Sequence, residues 1–308
     1  MNNKDKLVPL IVILGPTASG KTSLSIKLAK KFNGEIINAD SRQIYREMNI
    51  GTAKISGKMS GKKYIARGIT HYLINLKNPS QKFSVQAYKS LAIKIARQIY
   101  KRGKLPFLVG GTGLYIKAVV DNLNIPKIRA DWELRKKLEK KPRETLAKIL
   151  IKKDPEALKF IDLKNKRRII RALEVMERSD KKFSELRTSG LPIFKTLQIG
   201  VRIKKEKLKN NVILRLKKQL QAGLEKEIEK LYRKYGGGAP GLRSIGYQEF
   251  IKSFKGQITK NEAIYLIQKN TQDYIKRQMT WFKKDKRIKW ISAFSKAEKL
   301  IANFLDSK

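Results

Sequence analysis

Residues 7–22 constrain this chain more than any other stretch: an unbroken apolar run, Leu7-Val-Pro-Leu-Ile-Val-Ile-Leu14, leads directly into Gly15-Pro-Thr-Ala-Ser-Gly-Lys-Thr22. An apolar run without polar alternation is the pattern of a strand covered on both faces, which implies a parallel sheet between layers of helices. The segment after it fits G-x-x-x-x-G-K-[ST], and a helix is predicted from about Ser23 to Phe32. Glycines let backbone N–H groups turn inward around phosphate oxygens, and the helix N-terminus adds the positive end of its dipole. Gly15, Pro16, Thr17, Ala18, Ser19, Gly20, Lys21 and Thr22 are therefore candidate di- or triphosphate ligands. Lys21 would neutralise phosphate charge and the Thr22 hydroxyl would ligate Mg²⁺. The motif leaves the reaction open.

The next hundred residues alternate strand and helix. A strand over Glu35–Ala39 ends at Asp40, Val85–Arg102 reads as a helix, and a strand over Leu105–Val109 runs into Gly110-Gly-Thr-Gly113. That is the order of a doubly wound α/β sheet. Residues 122–194 are charged, helix-forming and poor in strand signals, with helices expected over Trp132–Leu150, Pro155–Phe160 and Lys166–Arg178. The predicted organisation is a P-loop NTPase-like parallel sheet flanked by helices, over 1–121 and 195–308, with a helical insertion domain over 122–194. A strand over Thr196–Val201 returns the chain to the sheet, and helices follow from Lys205, broken by a loop at Gly236–Gly241.

Composition narrows the chemistry. With no cysteine and one histidine, His71, disulfides, thiol catalysis and multi-histidine metal sites are excluded. Lys and Arg number 71 against 26 Asp and Glu, a net charge of +45. Self-repulsion on that scale favours a polyanionic partner, and the alternative is a general drift to lysine on solvated faces. Leu7–Leu14 is too short to span a membrane and lacks a small-residue cleavage site, so no membrane and a cytoplasmic location are expected.

A nucleotide hydrolase normally carries a metal-orienting acid at the end of a nearby strand, and Leu105–Val109 ends in glycines instead. Asp40 is the one acid that follows an apolar strand. Its residue type leaves three roles open: metal ligand, base facing an acceptor at the carboxyl edge of the sheet, and helix N-cap.

Several segments together resemble the tRNA dimethylallyltransferase (isopentenyl-tRNA transferase) family, bacterial type. They are Gly15–Thr22, Asp40-Ser-Arg-Gln43 with Tyr45, Ile50-Gly-Thr-Ala-Lys54, Gly110-Gly-Thr-Gly-Leu-Tyr-Ile-Lys117, Arg168-Ile-Ile-Arg-Ala-Leu-Glu-Val175, Ile245-Gly-Tyr-Gln-Glu249 and Lys276-Arg-Gln-Met-Thr-Trp-Phe282. The resemblance implies transfer of a dimethylallyl group from dimethylallyl diphosphate to N6 of the adenosine 3′ of the anticodon, in tRNAs reading codons that begin with U. Asp40 matches the general base, Thr112 the threonine beside the reacting centre, and Lys21 the cation on the leaving diphosphate, with Mg²⁺ as cofactor.

The same resemblance implies contacts with the tRNA anticodon stem-loop by Asp40, Ser41, Arg42, Gln43 and Thr112, by Arg135, Arg167, Arg168 and Arg171 in the insertion, and by Arg243, Ser244, Ile245, Gly246, Tyr247 and Gln248. Lys276, Arg277, Gln278, Thr280, Trp281 and Lys283 complete the set, and a monomer is expected. On one helix Ile267, Tyr274 and Trp281 share a face, with Lys276, Thr280, Lys283 and Arg287 on the opposite side, so Trp281 reads better as a core anchor than as a contact. His71 is expected at a strand edge in a structural role. Three positions depart from the family pattern: Asn49 and Asn75 stand where aspartates are usual, and Asn211 where an arginine is expected.

Three rivals remain. An enzyme prenylating free adenine nucleotides would share the loop and Asp40 but has no need of the insertion or the basic C-terminal part. A P-loop kinase of a small metabolite would need an acid after Val109. A non-catalytic RNA-binding protein would have no reason to combine Lys21, Thr22, Asp40 and Thr112.

Overall fold

A computed structural model describes residues 7–61, 63–126, 128, 130–186 and 188–307. The chain divides into two compact units, Met1–Val120 with Ile193–Lys308, and Asp121–Pro192.

The first unit holds the strands β1 (Val8–Leu14), β2 (Gly34–Ala39), β3 (Lys58–Ser60), β4 (Lys63–Ala66), β5 (Ile69–Tyr72), β6 (Leu105–Gly110), β7 (Phe194–Val201) and β8 (Lys289–Ile291). They form one sheet in the order β3-β4-β5-β2-β6-β1-β7-β8. From β5 to β8 all pairings are parallel, and β3 and β4 extend the β5 side antiparallel. Side chains of successive strand residues point to opposite faces, so each central strand feeds two cores. Leu10, Val12 and Leu14 of β1 pack with Tyr88, Ala92, Ala96 and Ile99 of α2 (Val85–Lys101) and Ile116 and Val119 of α3 (Gly113–Val120). Ile11 and Ile13 pack on the other face with Ile26, Leu28 and Ala29 of α1 (Lys21–Lys31). Burying a side chain of this size fully contributes about 1.5–3 kcal/mol, which is why β1 tolerates no polar residue.

The hairpin β3–β4 and the strand β8 have no counterpart among the predicted strands. Lys58-Met-Ser60 is exposed throughout and β4 alternates exposed and buried, so neither carries the apolar run of a central strand. His71 lies next to the last residue of β5, which runs between β2 and β4, and is 3% exposed. Its Nδ1 meets the Ile69 carbonyl oxygen at 3.0 Å, Nε2 has no partner among the described residues, and burial lowers its pKa.

The second unit contains α4 (Trp132–Lys140), α5 (Arg143–Lys153), a 3₁₀ turn at Pro155–Lys159, α6 (Lys166–Ser179) and α7 (Phe183–Leu186). Its core is Leu146, Leu150, Ile161, Ile169, Ile170, Leu173 and Met176. The single helix expected over Trp132–Leu150 is two helices: Lys141 precedes Pro142 and is extended, with φ −78° and ψ 145°. A proline ring excludes the helical conformation from the residue before it.

The rest of the first unit is α8 (Lys205–Gln221), α9 (Leu224–Tyr235), α10 (Tyr247–Phe254), α11 (Lys260–Phe282) and α12 (Phe294–Asp306). Leu216, Leu224, Ile228, Leu231, Phe250 and Ile267 of α8–α11 make a third core around Ile44, Tyr45 and Met48. A capping box of Thr259 and Glu262 starts α11, and the helix ends at Phe282. Arg287, placed on that helix from its sequence periodicity, therefore lies beyond it, where its guanidinium pairs with Asp285 at 2.6 Å. Among the described residues no helix is long and apolar enough to cross a membrane.

Candidate active site

Strand register assembles the site. Gly110 of β6 lies opposite Leu14 of β1 on one side and Ala39 of β2 on the other. The next residues, Gly15, Asp40 and Gly111, therefore emerge side by side at the carboxyl edge of three adjacent strands. A Cβ on Gly110 would stand 2.2 Å from the Ala39 carbonyl oxygen, so only glycine lets β6 close against β2 here.

The loop after β1 turns through Ala18 and Gly20, at φ 61° and 83°, before Lys21 opens α1. Other elements hold the loop. Gln278 of α11 accepts from the Thr17 N–H at 2.9 Å and donates to the Gly111 carbonyl at 2.8 Å. Arg215 of α8 donates to the Thr17 hydroxyl at 2.9 Å, and Asn211 donates to the Ala18 carbonyl at 3.0 Å. The Lys21 ammonium donates to the Pro16 carbonyl at 3.0 Å. Burial draws Lys21 down to about 8, with Asp40 pulling it back up and Arg215 lowering it further. Arg215 is likewise lowered by burial and raised by Asp40.

Asp40 Oδ1 accepts the backbone N–H groups of Arg42 at 2.8 Å and Gln43 at 3.4 Å. Among the described residues no protein donor meets Oδ2. One oxygen is thus anchored in the turn that follows β2, where no helix begins for Asp40 to cap, and the other is open. Thr112 accepts from the Ser41 N–H at 3.0 Å, which ties the β6 and β2 loops together.

Asp40, Ser41 and Arg42 share a cavity of about 310 Å³ with Thr17 and Ala18 of the loop, Arg215, Arg243–Tyr247, Tyr274 and Arg277. Tyr274 is pushed up to about 12, chiefly by burial and then by the Asp40 charge. Most of the predicted acceptor-side residues of this unit therefore converge beside the phosphate loop. Arg215 and Tyr274 belong to the cavity as well, and neither was a predicted ligand. Their helices, α8 and α11, are distant in sequence, and folding brings the two side chains together.

Other predicted contacts are engaged within the protein or lie on its surface. Gln278 is 5% exposed with its carbonyl oxygen and amide nitrogen both engaged inside the protein, so it clamps the loop and is not available to a polyanion. Tyr247 is fully buried and donates to Glu227 at 2.7 Å, and Ser244 is buried on the Gly241 carbonyl. Gln43 donates to the Thr52 carbonyl at 3.2 Å, holding the 45–54 loop. Trp281 packs partly buried against the sheet core, and a Cβ on Gly113 would stand 2.3 Å from its ring. Gln248, Lys276, Thr280 and Lys283 are exposed.

In the insertion unit Arg167 and Arg168 are exposed, but Arg135 and Arg171 are not free. Arg135 donates to both oxygens of Glu174 at 2.8 and 2.7 Å, and Arg171 pairs with the same carboxylate. Burial alone would raise the Glu174 pKa, and the hydrogen bonds from Arg135, Arg171 and the Asp131 N–H outweigh it and lower it. A buried carboxylate needs such partners, and the sequence cluster Arg167–Arg171 does not show which of its members it takes.

A glycine-rich loop after the central strand of this parallel sheet, facing an acid at the end of β2, defines a P-loop-type α/β enzyme. An IPP transferase family model matches residues 43–285, and an isopentenyl transferase model matches residues 8–77. The chain is 41% identical over 304 residues to a tRNA dimethylallyltransferase from Acetivibrio thermocellus, covering 96% of this chain and 95% of that one. A second, from Halalkalibacterium halodurans, is 38% identical over 97% of both chains. The crystal structure of full-length tRNA isopentenylpyrophosphate transferase from Bacillus halodurans superposes with a TM-score of 0.71, at 37% identity over 97% of this chain and 95% of that one. A eukaryotic dimethylallyltransferase acting on tRNA gives a TM-score of 0.76 at 27% identity, over 96% of this chain and 77% of that one. The chain belongs to the IPP transferase family, and it is a transferase.

Proposed function

We propose that this protein transfers the dimethylallyl group of dimethylallyl diphosphate to N6 of the adenosine 3′ of the anticodon, in tRNAs reading codons that begin with U. The observation that carries this reading is the placement of an open Asp40 oxygen in one cavity with the phosphate loop. The C1–N6 bond forms as the C1–O bond breaks. An exocyclic amine on an aromatic ring is a poor nucleophile, so its proton must be taken as the bond forms. Asp40 suits that role: Oδ1 is fixed by two N–H groups, which aims Oδ2. The diphosphate leaves with its electron pair, and Lys21, Arg215 and the Thr112 hydroxyl are the groups positioned to stabilise it. With a pKa near 8, Lys21 is still mostly protonated at neutral pH.

The donor set fits Mg²⁺, which binds phosphate oxygens with few protein ligands and keeps several waters. Thr22 is exposed at the first turn of α1, and the buried Ser19 hydroxyl has no partner among the described residues. Bound there, the ion would neutralise charge on the leaving group.

The acceptor must leave its stack to reach Asp40, at a cost of roughly a few kcal/mol, which contacts to phosphates must offset. Arg167, Arg168, Arg243, Gln248, Lys276, Thr280 and Lys283 are exposed and suited to those contacts. The protein acts on tRNA as a monomer in the cytoplasm under this reading.

The test is incubation with labelled dimethylallyl diphosphate and Mg²⁺, offering total tRNA or AMP. Label is expected in tRNA. Label entering AMP and not tRNA replaces this reading with that of a free-nucleotide prenyltransferase.

A further inference from the structure

A cavity of about 790 Å³ in the first unit is not the one that holds Asp40. It adjoins the phosphate loop at Ala18 and Gly20 and is walled by Lys54, Arg215 and Lys218 with Asn49, Asn75 and Asn211. Among the described residues no acidic side chain lines it.

Two of the departures from the family pattern meet here at one atom. The Lys54 ammonium donates to Asn49 Oδ1 at 2.9 Å, to Asn75 Oδ1 at 2.6 Å and to the Tyr45 carbonyl at 2.7 Å. An ammonium has three donors and no acceptor, so it compels both amides to turn their oxygens toward it. Their Nδ2 groups consequently face away, and neither has a protein partner among the described residues. An aspartate at either position would give Lys54 the same bond but leave a carboxylate oxygen, an acceptor with negative charge, in place of that donor. The pair of asparagines thus puts neutral amides with outward donors where two carboxylates would stand.

We propose that this cavity is a second oxyanion site, in which Asn49 and Asn75 donate through Nδ2 to a phosphate or diphosphate anion while Lys54 and Lys218 supply the charge. Among the described residues Lys54 bonds only to amide and carbonyl oxygens, with no carboxylate paired to it. Burial draws it down to about 8, and the charges of Glu227 and Asp40 pull it partly back up. An anion beside the asparagines supplies the missing countercharge. The site stands on the cavity and its donors, independently of which reaction the neighbouring loop serves.

Calorimetric titration with inorganic diphosphate, and separately with inorganic phosphate, tests it. Lys21→Ala disables the phosphate loop and is expected to keep binding diphosphate. Adding Asn49→Asp and Asn75→Asp to that variant is expected to weaken the remaining binding at least about tenfold, since two donors become like charges. Both aspartates retain the bond to Lys54, so the fold is preserved, and the melting temperature checks this. In the chain with Lys21 intact, the double aspartate variant keeps the loop's own anion. Loss of all diphosphate binding in Lys21→Ala overturns the proposal, as does undiminished affinity in the triple variant. Binding of phosphate with the same sensitivity to the aspartates identifies a single-phosphate site; binding of diphosphate alone identifies one that takes both phosphoryl groups. Because transfer is not measured, failure of the catalytic reading would leave these results unchanged.

Discussion

Replacing Gln278 by Glu changes one atom and separates two roles. The side-chain oxygen that accepts from Thr17 N–H is kept, while the Nε2 donor, 2.8 Å from the Gly111 carbonyl, becomes an oxygen facing an oxygen. One buried hydrogen bond is lost and a carbonyl is left unpaired, at a cost of about 1–3 kcal/mol. The new carboxylate, 5% exposed like the amide it replaces, adds a desolvation cost, relieved by whatever fraction takes up a proton. A loss of about 2–4 kcal/mol corresponds to a fall of roughly 4–16 °C in the melting temperature of a domain of this size, at about 2–4 °C per kcal/mol. Because the clamp joins the loop after β1 to the loop after β6, the Michaelis constant for the prenyl donor should rise with that loss, while tRNA affinity stays unchanged. Thermal melting, donor kinetics and tRNA filter binding report the three quantities. An unaltered melting temperature combined with weakened tRNA binding would refute the clamp and return Gln278 to the RNA surface.

Asp40→Asn should keep tRNA binding and lose about two to four orders of magnitude in rate in single-turnover assays, because the amide cannot take the N6 proton. Glu174→Ala strips the carboxylate from two half-buried guanidiniums and should destabilise the insertion unit by about 3–5 kcal/mol, read as faster hydrogen exchange confined to residues 121–192. His71 is the one imidazole of the chain, and its folded pKa is depressed below 6.5. Above that value it is neutral in both states; as the pH falls below 6.5 the unfolded chain takes up the proton first and stability declines. Denaturant melts of His71→Asn should lack that decline. Lys276→Ala and Lys283→Ala together should flatten the salt dependence of tRNA binding by about one to two in the slope of log K against log salt, and an unchanged slope removes them from the phosphates.

The elements legible in the sequence are those whose physics is local. The strand Val8–Leu14, the glycine turn and α1 announce themselves because an apolar run, positive φ at Gly20 and a helix start are properties of neighbouring residues. Asp40 was recognisable as an acid ending a strand, and the register of β2, β6 and β1 then brought it beside Gly15. What the sequence could not reveal is which polar side chains face inward. Gln278 and Lys276 lie two residues apart on one helix, and only packing makes one a buried clamp and the other a surface cation. Arg135 and Arg171 looked like RNA contacts until Glu174 was placed between them.

Asn49 and Asn75 show the same division most sharply. Sequence alone marks each as a lost carboxylate, 26 positions apart by their numbers. Tertiary structure brings both to Lys54 Nζ and so turns two separate substitutions into one change of cavity chemistry. Local pattern determines where the backbone goes, because helix and strand preferences act over a few residues. Partner choice among polar groups is decided only after folding, because a hydrogen bond depends on distances that residue order does not encode.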